Sequence, residues 1–169
     1  MILPFPEPTA EVASRAEVLL GYLDYYRSVL VERLASLPEG ALRSSRLPSG
    51  WTPLELLKHL TFVELRWLVW GFEGLPVPDP WGDRREDRWY VGPDESLAAL
   101  IAALQQQALV TRAVVGRHDL QEGGLPGERW DGAEPATLER VLLHLVQEYA
   151  RHAGHLDIVV ELSAGATGE

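Results

Sequence analysis

Proline and glycine interrupt this chain at intervals that leave four stretches of helical length, and none of the intervening segments shows the bounded alternation a strand needs. The opening Leu3-Pro4-Phe5-Pro6-Glu7-Pro8 is incompatible with a helix and predicts an extended arm over residues 1–8. Thr9 can then cap a first helix running to about Leu37, where Pro38 and Gly40 stop it; Val12, Ala16, Leu19, Leu20, Leu23, Val29, Leu30 and Leu34 recur along it at helical spacing. Thr52-Pro53 with Glu55 three residues after the threonine predicts a capped second helix to about Phe72. A third runs from a cap at Asp94 to about Gly116, and a fourth from about Ala136 to Leu162, leaving Ala164–Glu169 as a frayed tail. Gly74–Pro93, with four prolines, is long for a link between antiparallel neighbours but suits a crossover along a bundle. The expectation is one all-α domain over residues 1–169, a four-helix bundle with a long crossover between helices 2 and 3.

Composition narrows the function classes. The chain has no cysteine, which excludes disulfides, thiolate metal clusters and a cysteine nucleophile; any metal must sit on His, Asp or Glu, and any thiol chemistry must use a thiol from outside. Fifteen Lys and Arg against 25 Asp and Glu give a net charge of -10, so the phosphate-neutralising field that nucleic-acid binding depends on is missing. The apolar stretch Leu54–Trp70 is broken by Glu55, Lys58, His59, Glu64 and Arg66, and the N-terminus lacks the basic start and apolar core of a secretory signal. No membrane span and a cytoplasmic location are therefore expected.

The fourth helix carries the chemistry. At about 100° per residue, with Glu148 at zero, His144 lies at about -40°, His155 at about -20° and His152 at about +40°, within a wedge that also holds Val141, Val159 and Leu162. Ionisable groups turned inward cost several kcal/mol unless they are paired or bound to a metal. Glu148 and His152, one turn apart, can face one divalent ion. His59, on an otherwise apolar face of the second helix with Leu56, Val63 and Trp70, is the one other helical histidine, and bundle metal sites are assembled from facing helices. His59, Glu148 and His152 make a three-ligand set with a fourth position open, the mark of a catalytic site. A bundle without metal, in which these groups hydrogen-bond one another, accounts for the same stripe. A di-iron centre is disfavoured because its paired Glu-x-x-His motifs are absent.

Two segments, Ser49–Trp67 (SGWTPLELLKHLTFVELRW) and Leu138–Asp157 (LERVLLHLVQEYARHAGHLD), resemble the DinB-like superfamily of metalloenzymes, most closely its mycothiol-dependent maleylpyruvate isomerase and thiol transferase branch. The resemblance implies a four-helix bundle, commonly dimeric, with a divalent metal, zinc or nickel, held by His59, Glu148 and His152. Many members have His-x-x-x-His where this chain has Glu148-x-x-x-His152. It further implies that a low-molecular-weight thiol such as mycothiol takes the open metal position and, as a thiolate, attacks a small electrophile, either adding to it or isomerising a double bond. The rival from another class is a non-catalytic metal-binding stress or interaction protein.

Around the site, Arg66 lies two turns beyond His59 and could clamp a substrate carboxylate, or else pair with Glu55 or Glu73. His144 and His155 could orient ligands or move protons, or be buried with backbone partners. Asp157 is about 140° from His152 and is not expected to ligate. Trp81, Trp89, Tyr90 and Trp130 are expected to cover bundle ends more readily than to wall a pocket; Arg84, Arg85 and Arg88 read as solvated loop surface, and His118 has no spaced partner.

Overall fold

The computed structural model describes residues 1–164 and is an all-α bundle. Four long helices build it, α1 (Arg15–Ser36), α3 (Pro53–Glu64, continued through Phe72), α4 (Leu97–Val115) and α5 (Leu138–Ala164), with a single-turn α2 (Glu39–Leu42) between the first two. The expected tail from residue 165 onward lies outside the described residues, while Ala164 closes α5. The arm is extended as expected and lies along α1: the Leu3 amide donates to Ser28 Oγ (2.9 Å), and the Phe5 ring sits edge-on to Tyr22 and Tyr25.

Capping chemistry sets the helix starts. Thr52 and Glu55 form the expected capping box. The first helix begins at Arg15 and not beside Thr9, because Ser14 takes the Glu17 amide (3.2 Å); Val12 is consequently exposed. Ser96 likewise displaces Asp94 as the cap of α4. From Leu65 to Phe72 the second helix widens into π-turns, a feature periodicity did not foresee.

Ion pairs fix the helix directions. Arg15 meets Glu139 and Arg33 meets Asp157, so α1 and α5 run parallel. Lys58, early in α3, meets Glu95 just before α4, and Glu73 after α3 meets Arg117 after α4, so these two are also parallel. Arg112 late in α4 reaches Asp24 in α1, so those two are antiparallel, and the contacts of α3 with α5 described below run the same way. The parallel α3–α4 pair requires Glu73–Ser96 to travel the length of the bundle, which is the expected crossover. It contains a short hairpin, β1 (Arg84–Arg85) and β2 (Arg88–Trp89), turned by Glu86 and Asp87 with φ of 51° and 60°.

The core is leucine-rich, with Leu23, Leu30, Leu34, Leu56, Leu60 and Leu142 sealed from solvent, yet at its centre lies a charge cluster. Glu64 is fully buried and accepts from Arg27 Nε (2.9 Å) and Nη2 (2.8 Å), from Thr111 Oγ1 (2.5 Å) and from the Tyr149 hydroxyl. One carboxylate thus joins all four long helices. Burial opposes the Arg27 charge, but Glu64 outweighs it and raises the guanidinium pKa; burial and the Glu64 charge together raise that of Tyr149. The sequence reading found no apolar run long enough for a membrane, but α4 is by length and composition a candidate span. In this fold Leu100, Leu104, Gln107, Thr111 and Val114 of α4 are buried, with Thr111 joined to the Glu64 cluster. Leu162, expected to face inward, is half exposed near the end of α5.

Candidate metal centre

The antiparallel packing of α3 on α5 brings together the groups the sequence singled out. One donor atom each from His59, Glu148 and His152 lies within 4.8 Å of the others, with His152 Nε2 3.3 Å from Glu148 Oε2. His59 and His152 are buried and their rings meet edge to face at 5.3 Å. Burial first, and then the neighbouring His59, pulls the His152 pKa down to about 4, so its imidazole is neutral and able to donate a lone pair at pH 7.

A group the sequence reading missed orients His59. Asp83, fully buried on the crossover, lies 3.0 Å from His59 Nδ1 and also takes the Arg66 guanidinium on both oxygens (2.6 and 3.1 Å). Burial alone would raise the Asp83 pKa, but the hydrogen bonds and charge of His59 and Arg66 outweigh it and hold the carboxyl below its ordinary value. An ionised Asp83 keeps the proton on Nδ1 and leaves Nε2 as the free donor. Gly82 allows this approach, since a Cβ there would come within 3.0 Å of the Phe62 ring. Trp89, carried in by the hairpin, stacks on His59 at 4.2 Å and 21°.

Arg66 therefore does not stand free as a clamp. Its partners are Asp83 and the Pro80 carbonyl (3.0 Å), neither Glu55 nor Glu73, and its guanidinium lies 4.4 Å from the Trp81 ring centre. His144 sits partly exposed at the rim, 3.7 Å from Glu148 Oε1 and edge-on to Trp67 at 4.7 Å. His155 Nδ1 is 3.4 Å from His152 Nδ1. Asp157 pairs with Arg33, away from the ligands. His118, given no role, meets Glu122 (2.9 Å).

These groups open into a depression of about 380 Å³ walled by Trp67, Trp81 and Trp89 and edged by Arg84, Arg129 and Arg151. Trp81 and Trp89 therefore wall a pocket, against the expectation that loop aromatics cover bundle ends, whereas Trp130 does pack over the end of α3, its indole donating to the Gly71 (3.1 Å) and Leu125 (3.0 Å) carbonyls. Trp89 and Tyr90 also line a second hollow of about 580 Å³ with Trp51, Arg85 and Arg88. Arg84, Arg85 and Arg88 thus border two cavities; they are more than loop surface. Only a long connection forced past the site could have signalled Asp83 and these aromatics, because an irregular segment has no periodicity to read.

Two imidazoles and a carboxylate, with one imidazole held by a carboxylate behind it, are a donor set suited to a divalent ion with an open position. The depressed His152 pKa gives a check on the metal-free protein. Between pH 6.5 and about 4 the unfolded chain binds a proton at this residue that the folded chain does not, so stability present above pH 6.5 is lost as pH falls toward 4. After allowance for solvent screening the loss is about 1–2 kcal/mol. Urea titrations at pH 7.5 and 5 should show it in wild type and a smaller loss in His152→Asn; equal losses would disprove the assignment.

Residues 18–165 match the sequence model of a family described as Mycothiol-S-transferase. Comparison with curated proteins finds no match. Among solved structures, the crystal structure of the conserved protein of locus from Enterococcus faecalis is similar in fold, with a TM-score of 0.61 and 16% identity over 92% of this chain and 100% of that one.

Proposed function

The chain belongs to the mycothiol-S-transferase family, of DinB-like fold, and from that premise we propose that it transfers a low-molecular-weight thiol to a small electrophile at a divalent metal held by His59, Glu148 and His152. The observation that carries the reading is the convergence of these three donors, with Asp83 fixing His59 from behind. Zinc, or nickel in its place, would supply the Lewis acidity that lowers a thiol's pKa toward neutrality. The protein's own residues do the rest. Asp83 holds the His59 ring in the tautomer that offers Nε2, and Trp89 packs flat against that ring and keeps water from one face of it. In this reading His144, at the rim, passes the thiol proton to solvent, and the tryptophans confine the electrophile beside the sulfur. The larger hollow takes the body of the thiol compound. Addition and addition-elimination both fit this arrangement, the first giving a transferase and the second an isomerase.

The test is loss of free thiol when zinc-loaded protein meets mycothiol and chlorodinitrobenzene, compared with the same mixture containing a chelator. A chelator-sensitive rate well above the uncatalysed one supports the reading. Stoichiometric zinc binding with no turnover of any thiol and electrophile pair would overturn it in favour of a non-catalytic metal-binding bundle.

A further inference from the structure

We propose that the electrophile taken by this site is an anion, a small carboxylic acid whose carboxylate is gripped at the mouth by Arg129 together with Arg84 and Arg151. The proposal deepens the thiol-transfer reading and rests on it for the chemistry, while the anion site stands on its own observations.

The chain is acidic, with a net charge of -10, and six of its fourteen arginines are held by carboxylates. Arg15, Arg27, Arg33, Arg66, Arg112 and Arg117 all meet carboxylates. Arg84, Arg129 and Arg151 form no ion pair among the described residues, and all three edge the one depression that holds His59, Glu148 and His152. Three unpartnered cations at one mouth of an acidic molecule focus a positive field there, which draws anions in and discriminates against neutral analogues.

Arg129 is the most committed of the three. Its guanidinium lies 4.0 Å from the Trp67 ring centre, and its Nε is buried with no hydrogen-bond partner. A buried donor without an acceptor is costly, more so when it belongs to a charged group, and a carboxylate settling on the guanidinium removes that cost. Burial, and after it the proximity of Arg66, lowers the Arg129 pKa, the electrostatic signature of a cation lacking its counter-charge. Arg84 is held against Trp81, its guanidinium 5.1 Å from the ring centre, so both forks are ordered by aromatic rings before any ligand arrives. The one negative charge lining the depression is Glu148, which a divalent ion would engage.

The reaction balances without any further reagent. The thiol sulfur forms a bond to the electrophilic carbon. In an addition the displaced electron pair ends on the adjacent carbon, which takes up a proton in place of the one the thiol released. In a displacement a halide leaves with the pair and the thiol proton goes to water. Nothing is oxidised or reduced, and the carboxylate remains intact as the handle.

Calorimetric titration with succinate, which has the charge but no electrophilic carbon, tests the anion site, with neutral succinamide as the comparison. Metal-free and zinc-loaded protein are both titrated. Succinate should bind at least tenfold tighter than succinamide, Arg129→Gln should remove most of that preference, and Arg84→Gln or Arg151→Gln should each weaken it; Arg140→Gln, outside the depression, should leave it unchanged. Equal binding of the two compounds, or succinate binding that needs zinc and ignores all three substitutions, overturns the proposal. Turnover of chloronitrobenzoate against its methyl ester, each corrected for its uncatalysed rate, gives the second arm. The acid should be preferred through KM, and Arg129→Gln should erase that preference with little change in kcat; turnover of both without preference overturns the proposal. Arginine-dependent succinate binding with no turnover of either compound upholds the anion site and defeats the thiol-transfer reading.

Discussion

Alanine at His59, Glu148 or His152 should leave the helical fold in place and abolish metal retention, taking thiol transfer with it. Each of these groups offers one donor to a common point, and two donors from a bundle do not hold a divalent ion against dialysis. Removing a residue that merely orients a ligand costs roughly 10–100-fold in metal affinity, so removing the ligand itself should cost more than about 100-fold. Asp83→Asn provides the internal comparison, because it keeps the shape of the partner behind His59 but removes the charge that fixes its tautomer. Elemental analysis of tag-free protein, with circular dichroism to establish folding, makes the measurement. Near one ion per chain in wild type, near none in the alanine variants and an intermediate value in Asp83→Asn is the expected ranking. Variants that keep their metal would remove these residues from the site.

The second large effect is on stability, at the charge cluster in the core. Glu64→Leu leaves Arg27 buried with no carboxylate beyond its contact to Asp24 (2.7 Å), and strips Thr111 and Tyr149 of their shared acceptor. Breaking a buried pair from one side costs about 3–5 kcal/mol, against which the gained apolar surface is small. At roughly 2–4 °C per kcal/mol for a chain of this size, the melting temperature should fall by about 6–20 °C. Arg27→Met combined with Glu64→Leu should recover part of the loss, since the orphaned charge is then gone. Thermal unfolding of the two single variants and the double variant decides it; a Glu64→Leu protein within about 1 kcal/mol of wild type would show that the cluster does not hold the helices.

The stripe on α5 was legible because a helix converts spacing into direction, and His59 was legible because it interrupts an apolar face. The Thr52–Glu55 box was legible because capping is local. Glu64 is in plain sight four residues beyond Leu60, but nothing on α3 tells that Arg27, Thr111 and Tyr149 converge on it from three other helices. Asp83 and Trp89 lie on a crossover whose path is set by tertiary contacts. The reading of Arg66 found a residue of the right segment and gave it the wrong partner, because that partner was the unseen Asp83.

The order in which the helices meet also governs how fast they can meet. No two consecutive long helices form an antiparallel hairpin here: α3 and α4 are joined through the crossover, and α1 rests on α5 from the far end of the chain, Arg33 pairing with Asp157. A chain that closes such distant loops before it gains a core spends conformational entropy early and recovers it late. This bundle should therefore fold more slowly than an up-down-up-down bundle of equal length and stability, with a transition state that already contains the pairing of α1 with α5.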